Sequence, residues 1–124
     1  MIKGIGIDTI GIDRFENIYR RYGDHFLQKV LTPHEREYIK KWRSPAARLA
    51  ARFAAKEACM KALGTGWSQG VHWKDIEVTN TSDGKPGLSL QGGAKKRFVE
   101  IRASVAHITI THTQHDATAL VVLE

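Results

Sequence analysis

Ser44-Pro45-Ala-Ala-Arg-Leu-Ala-Ala-Arg-Phe-Ala-Ala-Lys-Glu-Ala-Cys-Met-Lys-Ala-Leu63-Gly64-Thr-Gly66 is the longest helical signal in the chain. Strong helix formers fill residues 46–63, a Pro sits just ahead of them and Gly64 and Gly66 supply the stop. Working back from this segment, Thr32-Pro33-His34-Glu35 predicts a helix start, with Thr32 as N-cap and Glu35 completing a capping box, and a helix carrying Tyr38, Ile39 and Trp42. A second short helix is expected from Asp24 or His25. Another runs from Arg14 to Tyr22, with Asp13 as its cap, Phe15, Ile18 and Tyr19 on its apolar face and Gly23 as its stop. Ile2, Ile5, Ile7 and Ile10, with glycines at 4, 6 and 11, predict a short buried strand that turns near Asp8. Downstream of Gly70 the pattern changes to alternation. Residues 75–79 and 88–90 predict a hairpin around Asp83-Gly-Lys-Pro-Gly87, and residues 92–98 a short helix. Strands follow over 100–105, 107–111 and 117–123, the last two joined by a turn over 113–116. The fold class is therefore α+β, one domain over residues 1–124, with helices of the first half packed on an antiparallel sheet from the second half and the N-terminal strand.

Length and composition agree with a single globular unit. A chain of 124 residues, 42% apolar and 26% charged, has the make-up of an ordinary soluble domain and is long enough to bury a core without metal or disulfide staples. The one cysteine, Cys59, excludes an internal disulfide framework and a Cys-rich zinc site, and fits a reducing cytoplasm. No apolar run is long enough to span a membrane. The net charge of +6 lies entirely in residues 1–61, which hold 13 Lys/Arg against 7 Asp/Glu. A field placed this way attracts polyanions, phosphorylated small molecules or an acidic protein. No zinc-finger or RNP-type spacing and no aromatic-interleaved basic repeat is present, so nucleic acid is not the expected partner.

Three residues stand out chemically. Glu57 and Lys61 are neighbours one turn apart on the long helix, and taken alone they make an ordinary i,i+4 surface pair. Asp8 interrupts an apolar strand, where it is either a turn residue or an acid with a purpose. If the strand packs beside the helix, Asp8 and Glu57 supply two oxygen donors with Lys61 close by, a set suited to Mg²⁺ and phosphate. His107 and His112 stand five positions apart on one strand and point to opposite faces, so they do not share a metal; His112, at the strand end, is the better placed for a ligand.

Gly6-Ile-Asp-Thr-Ile-Gly-Ile-Asp-Arg14 resembles the opening GIDxxxxxR motif of the bacterial holo-acyl-carrier-protein synthases, and Arg52 to Gly66 resembles their RFAAKEAxxKAxGTG segment. Asp75-Ile-Glu-Val, Gly84-Lys-Pro86, Ile110-Thr-His-Thr113 and Val121-Val-Leu-Glu124 follow in the family's order, so the resemblance spans nearly the whole chain. It implies a 4′-phosphopantetheinyl transferase fold and Mg²⁺-dependent transfer of the phosphopantetheine arm of coenzyme A to a serine of apo acyl carrier protein. Adenosine 3′,5′-bisphosphate would be released. By motif, Asp8 and Glu57 would hold the metal, Glu57 and Lys61 would be catalytic, and Lys61 would also contact the diphosphate. Arg52, Gly84, Lys85, Pro86 and His112 fall in segments near the nucleotide end of coenzyme A. The family usually forms homotrimers with sites at subunit boundaries. Its carrier proteins, of fatty-acid or polyketide synthesis, are acidic, which makes Arg14 and Arg21 candidates to receive them, with Arg20, Lys29, Lys40 and Arg48 further along the same charged half. Trp67 to Trp73 has no chemical role in this reading; packing at a subunit interface is the expectation. A Mg²⁺-dependent phosphoesterase or nuclease using Asp8, Glu57 and Lys61, and a non-catalytic basic module binding RNA or DNA, are the competing classes. Neither accounts for the ordered motifs.

Overall fold

Two glycines fix where the first strand lies. In the computed structural model, which describes residues 1–124, β1 (Gly4–Gly11) runs so close along α4 (Ala46–Leu63) that a Cβ on Gly4 would stand 1.9 Å from the Ala62 carbonyl oxygen, and one on Gly6 1.9 Å from that of Ala58. Any side chain there would force strand and helix apart. Because side chains alternate along a strand, Asp8 and Ile10 share this helix-facing side with the two glycines. The expectation of a buried strand therefore needs correcting. Ile5 and Ile7 take the other face and are 59% and 56% exposed. The strand also continues through Asp8 to Gly11 instead of turning there.

β1 pairs antiparallel with β5 (Asp116–Leu123), and β5 pairs with β4 (Ala106–His112), giving the order β1-β5-β4. Helix α4 lies over one face of this sheet, where Ala117, Ala119, Val121 and Leu123 are fully buried among Leu49, Ala50, Ala54 and Ala58. The small side chains let helix and sheet approach. The opposite face carries Ile5 and Ile7, across from Val122 and Leu120, with no layer over it. A separate hairpin, β2 (Ile76–Asn80) with β3 (Pro86–Leu90), flanks the helical half.

The helices α1 (Ile12–Tyr22), α2 (Asp24–Val30) and α3 (Pro33–Ile39) precede α4, and α5 (Gly92–Glu100) follows the hairpin. The capping box forms as read: the Glu35 N–H donates to Thr32 Oγ1 and the Thr32 N–H to Glu35 Oε1. Three local expectations fail. Helix α1 starts straight off Gly11 with no side-chain cap, leaving Asp13 as a first-turn acid near the positive end of the helix. Helix α3 ends at Ile39, short of Trp42. The strand expected over 100–105 is absent, because α5 runs to Glu100 and closes in a Schellman turn. The Arg102 N–H donates to Val99 and the Ala103 N–H to Phe98, with Arg102 at φ +62°. An arginine occupies the left-handed position usually taken by glycine, so the stop signal was missing from the sequence.

The helices and the hairpin meet at a buried ion pair. Lys56 Nζ donates to Glu35 Oε1 at 2.7 Å and to the carbonyls of Trp73 and Ile76, while Glu35 Oε2 accepts from the Val78 N–H. Both side chains are wholly buried. Burial pushes the Lys56 ammonium below its ordinary pKa, and Glu35 is the principal group opposing that shift.

Candidate active site

Helix α4 carries two polar clusters. The first involves its C-terminal half and β1. Lys61 Nζ donates to the Ile7 carbonyl at 2.9 Å and to Asp8 Oδ1 at 3.1 Å. The strand–helix approach set by Gly4 and Gly6 brings these residues together. Asp8 Oδ2 is buried and has no hydrogen-bond partner. An unsatisfied carboxylate oxygen in such a place is costly unless something binds it, and a divalent cation is the natural candidate. No three His, Cys, Asp or Glu side chains come together in the structure, so an all-protein cage is not on offer. Holding by one or two carboxylates, the manner common for Mg²⁺, is what the donor set fits.

The i,i+4 contact that helical spacing allows between Glu57 and Lys61 does not form. Lys61 turns to Asp8, and Glu57 Oε1 instead accepts the indole N–H groups of Trp67 and Trp73 at 3.2 and 3.3 Å. Sequence reasoning gave those tryptophans no chemical role. No local signal announces the contact, since it depends on the loop after Gly64 folding back over α4. Nor is Cys59 poised as a nucleophile: burial pushes its thiol up to about 12, with Lys56 pulling the other way.

The second cluster surrounds a cavity of about 180 Å³ at the N-terminal half of α4, lined by Tyr38, Ala47, Arg48, Ala51, Arg52, Asn80, Gly84, Pro86, Ile110 and His112. Arg52, Gly84, Pro86 and His112 thus line one cavity; Lys85 lies exposed in the same turn, outside the lining. The Arg52 guanidinium donates to Asn80 Oδ1 at 2.7 Å and lies 4.1 Å from the Tyr38 ring centroid. Asn80 in turn donates to the Gly84 carbonyl at 3.2 Å, tying the arginine to the turn. Arg48 stacks over Trp42 at 3.6 Å. Burial lowers the Arg52 pKa, with Glu35 and Tyr38 acting against the shift, and its Nε has no partner. A buried guanidinium with a free donor and no direct carboxylate partner has the chemistry to receive an anion. Asn80 and Tyr38 were not candidates from sequence. Asn80 closes a strand just before a glycine turn, a common place for asparagine, which hid its second role.

The two histidines of β4 do point apart. His112 reaches the cavity, and His107 pairs with Glu124 Oε1 at 3.1 Å. Arg14 and Arg21 lie exposed on α1, seven residues and so about two turns apart on one face. No helix is long and apolar enough to cross a membrane.

Residues 4–119 match the profile of the 4′-phosphopantetheinyl transferase superfamily. A holo-[acyl-carrier-protein] synthase of Solibacter usitatus is 44% identical over 124 residues, 100% of this chain and 99% of its own. The crystal structure of the holo-[acyl-carrier-protein] synthase of Neisseria meningitidis superimposes with a TM-score of 0.91 at 32% identity, covering 100% of this chain and 99% of that one. A Bacillus anthracis holo-(acyl-carrier-protein) synthase solved in complex with CoA (3′,5′-ADP) gives 0.83 at 38% identity over 99% and 96% of the two chains.

Proposed function

This chain belongs to the 4′-phosphopantetheinyl transferase superfamily, among its holo-[acyl-carrier-protein] synthases, and on that premise we propose that it transfers the phosphopantetheine arm of coenzyme A to a serine of an apo acyl carrier protein in a Mg²⁺-dependent reaction that releases adenosine 3′,5′-bisphosphate. The observation that carries the site assignment is the buried, unpartnered Asp8 Oδ2 beside Lys61.

In this reading Asp8 and Glu57 hold Mg²⁺, which when bound neutralises charge on the coenzyme A diphosphate. Lys61 is anchored by Ile7 and Asp8 and keeps one N–H for a diphosphate oxygen. At the other cluster Arg52, Arg48 and His112 hold the nucleotide end, with Gly84 and Pro86 shaping its wall. The serine oxygen attacks the β-phosphorus, the bond to the bridging diphosphate oxygen breaks, and the serine proton passes to Glu57, since Lys61 is a donor at all three of its N–H groups.

Arg52 and Lys61 are nine residues, two and a half turns, apart and so stand on opposite sides of α4. A single coenzyme A does not readily reach both within one chain. This supports a homotrimer whose sites lie between subunits, closed through the uncovered sheet face of Ile5, Ile7, Leu120 and Val122. Arg14 and Arg21 would then receive the acidic carrier, and the buried free thiol fits a cytoplasmic enzyme.

Intact-mass spectrometry of an apo carrier protein incubated with coenzyme A, Mg²⁺ and this enzyme should show the gain of one phosphopantetheinyl group, lost with EDTA and with Asp8→Asn or Glu57→Gln. Cleavage of coenzyme A with no gain on any carrier would replace transfer by hydrolysis. Reversing charge at Arg14 and Arg21 should raise KM for carrier several-fold, less so in salt, and leave KM for coenzyme A alone.

A further inference from the structure

Glu57 reaches neither Lys61 nor Asp8; two indoles claim it. Trp73 Nε1 and Trp67 Nε1 both donate to the same oxygen, Oε1. The Trp73 ring is wedged between Phe53, with centroids 5.7 Å apart, and Trp67, 5.5 Å away. Its backbone is fixed as well, because the Trp73 carbonyl accepts from Lys56 Nζ at 3.0 Å, and Lys56 is locked by Glu35. Lys56 and Glu57 are consecutive residues of α4, so one holds the backbone of Trp73 while the other receives its indole. Trp67 is 67% exposed and makes the looser of the two supports.

We infer that Trp73, seconded by Trp67, is a positioning residue for Glu57: by occupying Oε1 it leaves Oε2 as the oxygen offered to the divalent cation shared with Asp8. The inference rests on the assignment of Asp8 and Glu57 as the metal-holding pair. Hydrogen-bond donors behind a ligating carboxylate fix its orientation, and removing them typically weakens metal binding about 10- to 100-fold. A partly exposed carboxylate held at 3.2 and 3.3 Å belongs at the lower end of that range.

Mn²⁺ binding, read from the electron paramagnetic resonance signal of the free ion with saturating coenzyme A and no carrier protein, tests this without turnover. Trp73→Phe should weaken Mn²⁺ binding about tenfold and Trp67→Phe about two- to threefold, with coenzyme A affinity in the absence of metal unchanged. The phenyl ring keeps the stack on Phe53, and the exposed Trp67 position gives a second variant that folds regardless. Asp8→Asn and Glu57→Gln should abolish the binding; if both bind Mn²⁺ like the parent, the metal site itself is wrong. If those two lose binding while the tryptophan variants bind as well as the parent, the indoles only pack. If the tryptophan variants bind more tightly, the indoles hold Glu57 out of reach of the metal, and the inference fails.

Discussion

Lys56 and Lys61 stand five residues apart on one helix, each paired with a carboxylate, and the two pairs differ in what they leave unused. The Lys56–Glu35 pair is closed at 2.7 Å, 0% exposed on both sides, and its atoms are saturated: three acceptors surround the ammonium, and each Glu35 oxygen takes a backbone N–H besides. The Lys61–Asp8 pair is longer at 3.1 Å, 54% and 15% exposed, and leaves one ammonium N–H and Asp8 Oδ2 without protein partners. Saturation marks the pair that holds the fold. Spare valence, kept at a cost in stability, marks the pair that has something to bind.

The largest effect should come from breaking the saturated pair. Lys56→Met strands Glu35 as a buried uncompensated charge and should cost about 3–5 kcal/mol in a denaturant titration. Pairing it with Glu35→Leu should cost less than the two single changes together, since the charges need each other more than the core needs them. A loss below about 1 kcal/mol for Lys56→Met would remove the distinction between the lysines. Lys61→Met should do the reverse, moving stability by less than about 1 kcal/mol while lowering kcat roughly 10²- to 10³-fold. Retained turnover would make Lys61 a mere counter-ion to Asp8.

Arg52 lies between these extremes, buried like Lys56 but unsatisfied like Asp8. Lysine at this position keeps the charge and gives up the planar fork that donates to Asn80 while stacking on Tyr38. Arg52→Lys should therefore raise KM for coenzyme A about tenfold and leave KM for carrier protein unchanged, a loss of about 1.4 kcal/mol in binding. Steady-state kinetics varying one substrate at a time separates the two. Equal rises in both constants would mean that the arginine supports the fold and not the ligand.

The same contrast explains which parts of the molecule were legible in the sequence. Signals confined to a few neighbouring residues came through: the Thr32–Glu35 capping box, the limits of α4 at Ala46 and Leu63, and the hairpin around Gly84. Asp8, Glu57 and Lys61 were visible as residue types that an apolar strand and helix do not otherwise need. Partner choice was not visible. Glu35 and Lys56 are 21 residues apart, and the capping box that explains Glu35 locally conceals its second bond. Helical spacing allows a Glu57–Lys61 pair, yet the fold supplies Asp8 to the lysine and two indoles to the glutamate. The outward face of β1 was misjudged for a related reason: isoleucines at 5 and 7 argue for burial, while the glycines at 4 and 6 decide which side meets α4.

His107 and Glu124 supply the exposed limit of the series, 55% and 53% accessible at 3.1 Å. The imidazole hydrogen bond and its charge, with the amino terminus adding to them, hold the Glu124 carboxyl below its ordinary value. A lowered value in the folded chain means that the contribution is present above the ordinary glutamate range, about pH 4.3, and is lost as the pH falls through the lowered value. Glu124→Gln should therefore melt slightly below the parent at about pH 5 to 6, where a carboxylate and an imidazolium coexist, and the gap should close as the pH falls through the lowered glutamate value. Thermal melts of both proteins across that range read the difference directly, with other carboxylates cancelling between them. Solvent screens this pair on every side, so its effect should be the smallest of the series. A gap as large as that of Lys56→Met, or one that persists below the lowered glutamate value, would mean that exposure is not what ranks these pairs.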